Sequence, residues 1–180
     1  MSKREFDEFI EKQSNLAQTS NTDWTRVLQE WQTYLEQFYA TTASFLKPYI
    51  ESGKIHITYG KKKILEDNIG EYEAKTAEIS FGTNRIKLDP VGTNLVGAKG
   101  RVDLIGPTGK TRFVLVNSKA SAPKISVRVW IHGEEPPVVE DRKPESITWA
   151  WKIATPPPNI RYLSLTDETF FDSLMEVSNG

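Results

Sequence analysis

The chain has 180 residues, 38% hydrophobic and 26% charged, enough for one domain with a full apolar core and ordinary for a globular protein. It has no cysteine, so disulfides and cysteine-based metal or redox centres are excluded. The net charge of −1 divides into −2 over residues 1–50, +6 over residues 51–133 and −5 over residues 134–180, a positive middle that would favour an anionic partner.

The opening residues hold no signal-like apolar run, and no apolar stretch reaches spanning length. The expected location is therefore the cytoplasm, with no membrane contact. Ser2 and Glu5 fit a capping box, and Phe6, Phe9, Ile10 and Leu16 follow at helical spacing, predicting a first helix of about four turns. Residues 18–22 are a polar connector in which Ser20, Asn21 or Thr22 can cap a second helix.

That second helix organises the rest. Trp24, Val27, Leu28, Trp31, Tyr34, Leu35, Phe38, Tyr39, Thr42, Phe45 and Leu46 recur at steps of three and four, one face of a long amphipathic helix. Leaving such aromatics wet would forfeit roughly 1.5–3 kcal/mol each, so the stripe needs a partner surface. The helix is expected to end before Pro48, because a residue preceding proline is pushed out of helical geometry. Gly53 closes the helical layer, residues 1–52.

From Lys54 the period becomes two. Ile55, Ile57 and Tyr59 mark a half-buried strand, and Gly60-Lys61-Lys62-Lys63 reads as a turn with a positive cluster. The next strand, over residues 72–81, changes phase near Thr76, which predicts a bulge or bend. Ile86 and Leu88 return from a tight turn at residues 82–84. Residues 100–105 and 111–116 form a hairpin around residues 106–110, and the unbroken apolar run of residues 113–116 predicts a strand covered on both faces. Ile125, Val127, Val129 and Ile131 alternate as a further strand. Residues 133–145, with three prolines and seven charges, read as an exposed loop. Ile147, Trp149, Trp151 and Ile153 alternate next, and residues 162–165 add a short strand. A closing helix runs from Asp167 to about Val177, capped by Thr166, with Leu165 and Phe170 at staple positions.

The expected architecture is α+β: a single domain with two N-terminal helices, a mainly antiparallel meander of about six to eight strands on the long helix (residues 54–165), and a short C-terminal helix over residues 166–177.

No catalytic motif of recognised spacing is present. His56 and His132 are the only histidines, and two isolated imidazoles lack the spacing of a zinc site. Gly106-Pro107-Thr108-Gly109-Lys110-Thr111 lacks the first glycine of a phosphate loop and leads into a strand instead of a helix. Gly100-Arg101-Val102-Asp103-Leu104-Ile105, a turn, and then Val114-Leu115-Val116-Asn117-Ser118-Lys119 resemble the core of PD-(D/E)XK nucleases. In that family an Asp on one strand and a Glu-x-Lys on the next bind a divalent metal and activate water. The resemblance implies Asp103 as a metal ligand and Lys119 as the supporting charge, with Asn117 standing in the acidic position. If Ile105 pairs near Thr111, Asp103 faces about Phe113, ~13 Å from Asn117. Trp130, Trp149 and Trp151 could stack bases or sugars, or Trp149 and Trp151 could cover the aromatic stripe of the long helix.

Three functions follow. The first is a non-enzymatic intracellular binding or protein-interaction module that needs no cofactor and no metal. Its surface would include Lys61, Lys62, Lys63, Arg101 and Arg112. The acidic loop with Glu134, Glu135, Glu140 and Asp141 would engage a basic surface on another protein or on a second copy, and nucleic acid is not the expected partner. The second is a degenerate nuclease-like hydrolase built on Asp103 and Lys119. The third is a curved sheet holding a small ligand against the helix.

Overall fold

The computed structural model describes residues 6–7, 23–93, 95, 97–124 and 147–179. The predicted first helix, apart from Phe6 and Asp7, which are helical, lies outside the described residues. So do the predicted strand over 125–131 and the loop over 133–145.

The long helix, α1, spans Trp24–Glu51. Its cap is Asp23, not Ser20, Asn21 or Thr22: the Asp23 carboxylate accepts a hydrogen bond from the Arg26 backbone N–H at 3.1 Å. The predicted face is buried at Trp31, Leu35, Phe38, Tyr39, Thr42 and Leu46. The helix also runs through Pro48, where the sequence predicts a stop. The proline lies within the last turn, and the end beyond it is held by a Schellman motif. The Gly53 N–H donates to Ile50 O (3.0 Å), the Lys54 N–H donates to Tyr49 O (2.9 Å), and Gly53 takes φ +72°. Tyr49, past the proline, packs edge-on against Phe171 at 5.8 Å.

Seven described strands follow as an antiparallel meander in chain order: β1 (His56–Glu66), β2 (Gly70–Phe81), β3 (Asn84–Gly92), β4 (Gly100–Gly106), β5 (Gly109–Asn117), β6 (Trp149–Ala154) and β7 (Tyr162–Ser164). The predicted turn at Gly60-Lys61-Lys62-Lys63 is instead the middle of β1, paired with residues 73–76 of β2. The phase change near Thr76 is real. Tyr72 and Ala74 are buried on one side of it, Ala77 and Ile79 on the other, and β1 changes phase opposite, at Gly60. No bulge accompanies it, because the β1–β2 ladder is continuous; instead the β2–β3 pairing begins only at Ala77, leaving residues 70–76 of β2 without a β3 partner. The register does shift in β3, between Pro90 and Gly92.

The β4–β5 hairpin is tighter than predicted. Gly106 pairs with Gly109 across Pro107 and Thr108, so Asp103 faces Arg112 rather than Phe113. Residues 113–116 of β5 are buried throughout, as expected of a strand covered on both faces.

The closing helix, α2, spans Asp167–Val177 with the predicted Thr166 cap. Thr166 Oγ1 accepts from the Thr169 N–H (3.2 Å), and Thr169 Oγ1 accepts from the Thr166 N–H (2.9 Å). Phe170, Leu174 and Val177 are buried. The core joins both helices to the sheet through Phe38, Phe113 and Phe170, with ring centroids 5.2 Å apart for the first pair and 6.0 Å for the second. Such pairs add about 0.5–1.5 kcal/mol each beyond their burial. No helix among the described residues is long and apolar enough to cross a membrane.

Candidate functional site

The lysine cluster on β1 is electrically matched. Lys61 reaches Glu73 at 3.1 Å, Lys62 reaches Asp89 at 2.8 Å and Lys63 reaches Glu71 at 2.7 Å. Lys61 and Lys63 lie with their partners in solvent, where such pairs contribute about 0–1 kcal/mol and exchange readily. The Lys62 pair is more sheltered. Burial pushes the Asp89 carboxyl up, but hydrogen bonds and charge from Lys62 and Lys87 outweigh it and hold the group below its ordinary value.

The two sheet edges differ. At β7 two outward groups are occupied: the Tyr162 N–H donates to Ser121 O (2.9 Å), and Ser164 O accepts from Thr169 Oγ1 (2.8 Å). At β1 an eleven-residue strand pairs with β2 alone among the described residues. Tyr59 is 46% exposed and Leu65 78% exposed, at alternate positions on either side of Lys61 and Lys63. His56, at the start of this strand, is exposed; His132 lies outside the described residues.

Asp103 and Lys119 are not brought together. Asp103 pairs in register with Arg112, five residues before Asn117 on β5, a separation of ~16 Å along the strand. Its carboxylate is held by Arg101 at 2.6 and 2.7 Å, with Lys110 at 3.4 Å. In return the carboxylate holds the Arg101 guanidinium above its ordinary value, outweighing the effect of burial. Lys119 lies past the end of β5, where its backbone N–H donates to Asn117 Oδ1 at 2.9 Å. Among the described residues no three metal-ligating side chains gather.

The tryptophans divide in role. Trp151 stacks against Phe38 (4.7 Å) and Trp31 (6.0 Å), and its Nε1 donates to Tyr34 O at 3.0 Å. Trp149, on the same strand face, is half-buried under the Lys99 ammonium, 5.2 Å from its ring. Lys99 also sits 5.6 Å from the Tyr34 ring and bonds Glu30. Trp130 lies outside the described residues.

One buried group is invisible in the sequence. The Glu66 carboxylate accepts hydrogen bonds from the Tyr72 hydroxyl, the Thr93 N–H (3.1 Å) and Thr93 Oγ1 (2.8 Å). It packs on Gly92, where a Cβ would stand 2.7 Å from Oε1. Burial, then the bond to Glu66, raises the Tyr72 hydroxyl above its ordinary value. The set ties the β1–β2 tip to the end of β3.

The curved-sheet reading places a ligand between α1 and the sheet. That space is filled by Trp31, Leu35, Phe38, Ile79, Ile86 and Leu104. A recess of about 200 Å³ opens elsewhere, between the β5–β7 end of the sheet and α2. Lys110 and Arg112 line it from β5, Asp172 and Glu176 from α2, and Ile153 and Leu163 from β6 and β7.

No family model, curated protein or solved structure matches this chain.

Proposed function

We propose that this chain is a non-enzymatic protein-interaction module that takes an extended, acidic segment of another protein as an added strand along β1. The observation that carries the reading is the contrast between the two edges: β7 has two outward groups occupied by side chain and loop, whereas β1 offers eleven residues with β2 as their one described strand partner. An open edge is a template for a further strand, with main-chain hydrogen bonds supplying affinity and alternate side chains supplying selectivity.

The side chains of β1 select the partner. A second copy pairing antiparallel about Lys62 would oppose Lys62 to itself and Lys61 to Lys63, which like charges disfavour. An acidic strand would instead compete with Glu71 and Glu73 for Lys61 and Lys63, an exchange between weak exposed pairs. Tyr59 and Leu65 give it apolar contacts on either side.

Amide hydrogen exchange with two synthetic peptides of about ten residues, the length of a long strand, tests this. One alternates Val with Glu, the other Val with Lys. The acidic peptide should slow exchange along β1 and lose affinity as salt rises. Equal protection by both peptides, or none by either, would refute the reading.

A further inference from the structure

We infer that the sheet face turned away from both helices binds a single strand of nucleic acid, with phosphates on β3–β5 and a base on β7. Phe113 and Trp151 mark the helix side, where they meet Phe38 and Phe170. Arg112 and Lys152, next to them in the chain, therefore lie on the opposite face. Register extends that face across the sheet. One row runs Lys87, Ile105, Lys110, and the next runs Asp89, Asp103, Arg112, Ala154, Tyr162. Lys62 of β1 joins them through Asp89.

The charges on this face do not cancel. Asp89 is shared by Lys62 at 2.8 Å and Lys87 at 2.9 Å. Asp103 has its oxygens on Arg101 at 2.6 and 2.7 Å, with Lys110 at 3.4 Å. Two carboxylates thus serve four cations. Arg112 is a fifth cation, half-buried and with no hydrogen-bond or ion-pair partner among the described residues. A guanidinium so placed has given up part of its water without replacement, and its planar fork of donors fits a phosphate. The side chains of Lys87 and Lys110 are 53% and 48% exposed, so this part of the face is open. The positive middle of the sequence named no face; strand register gathers these cations on one.

A protein partner would need a central apolar or aromatic anchor. Across β3–β6 the exposed large apolar side chains among the described residues are Val91 and Ile105, two aliphatics that form no such anchor. Charge is left to carry the affinity, as it does for a nucleic-acid backbone. Lys110 and Arg112 stand ~7 Å apart along β5, and Lys87 and Lys110 ~10 Å apart across two strand spacings. A flexible single strand can set successive phosphates on such a grid. Tyr162 adds a stacking surface ~10 Å from Arg112 across Ala154. Its ring meets no other ring among the described residues. The phosphate and base contacts use none of the β1 edge, so this inference and strand addition stand or fall separately.

The test is fluorescence anisotropy of the full chain with a labelled thymidine oligomer of about twelve nucleotides, within the usual site size. Binding should be saturable at low salt. The logarithm of the affinity should fall against that of salt with a slope of about −2, the value for three phosphates of a single strand. Arg112→Gln should weaken binding and make the slope shallower by about 0.7. Tyr162→Leu should weaken binding about fivefold or more and leave the slope unchanged. Each variant is checked for an unchanged overall spectrum, and Lys110→Gln, at an exposed position, replaces Arg112→Gln if that protein does not fold. Absence of saturable binding would overturn the inference. So would an unchanged slope in both Arg112→Gln and Lys110→Gln. Equal binding of a glutamate oligomer of the same charge would also overturn it, in favour of an acidic protein.

Discussion

The six-membered ring of Trp31 occupies the space where Gly100 would carry a side chain: a Cβ there would stand 2.1 Å from Trp31 Cζ3 and 2.5 Å from Cε3. The long helix therefore rests directly on the backbone of β4, and Gly100 is required by contact, since neither the ring nor the strand has room to give. Gly100→Ala should destabilise the fold by about 1–3 kcal/mol, the range for overpacking. Because the two positions share one contact, Trp31→Leu together with Gly100→Ala should cost less than the two single losses added. Urea unfolding of the four proteins reads the coupling, and strict additivity would count against the contact.

Trp149 and Trp151 share a strand face but not a load. Trp151 packs on two aromatic rings of α1 and donates a hydrogen bond to that helix. Trp151→Ala should cost about 3–5 kcal/mol, as large aromatic truncations do. Trp149 interacts with Lys99 at the rim, and cation–π contacts of that kind are worth about 0.5–2 kcal/mol. Trp149→Ala should therefore be the milder change in denaturant midpoint. A reversed order would mean that the rim, not the helix contact, carries the stability.

What was legible in the sequence was whatever depends on neighbours along the chain. The stripe from Trp31 to Leu46 needs only a period of three to four. The Thr166 cap and the buried run of residues 113–116 are equally local. Pro48 misleads because its penalty is local, while the Tyr49–Phe171 contact, which helps secure the helix beyond it, is not. Gly60-Lys61-Lys62-Lys63 resembles a turn because the acids that pair with those lysines, Glu71, Glu73 and Asp89, lie 8 to 27 residues away. Asp103 and Lys119 looked like a pair by proximity in sequence, yet hairpin register decides what each one faces. The recess depends on β5 meeting α2, so Arg112 stood out as a surface cation while Asp172 gave no signal.

Asp103 holds a cation in place. Its side chain is 7% exposed and bound at both oxygens by Arg101. Asp103→Ala should leave Arg101 short of its partner and cost about 1–3 kcal/mol, the penalty for orphaning a buried polar group. Neither protein should cleave DNA or RNA with magnesium or manganese, and the melting temperature of each should be indifferent to those ions. Metal-dependent cleavage lost in Asp103→Ala would revive the nuclease-like alternative.

Asp89 should leave a signature in acid. Its carboxyl is 2.8 Å from Lys62 and 2.9 Å from Lys87, and those two amines hold it below its ordinary value against the opposing effect of burial. A carboxyl whose folded value is depressed adds stability that is fully present above the unfolded value, about 3.9 for Asp. That stability is lost as pH falls through the lower folded value. Asp89→Asn removes the charge at every pH. At neutral pH the variant should be the less stable protein, because Lys62 and Lys87 lose the carboxylate they share. As pH falls below about 4 the wild-type carboxyl takes up its proton and the two proteins should converge. Other carboxylates titrate in the same range, so the quantity to measure is the difference in urea midpoint between the two proteins from about pH 7 to about pH 2. A difference that stays constant across that range would show that Asp89 contributes through shape and hydrogen bonding, not through its charge.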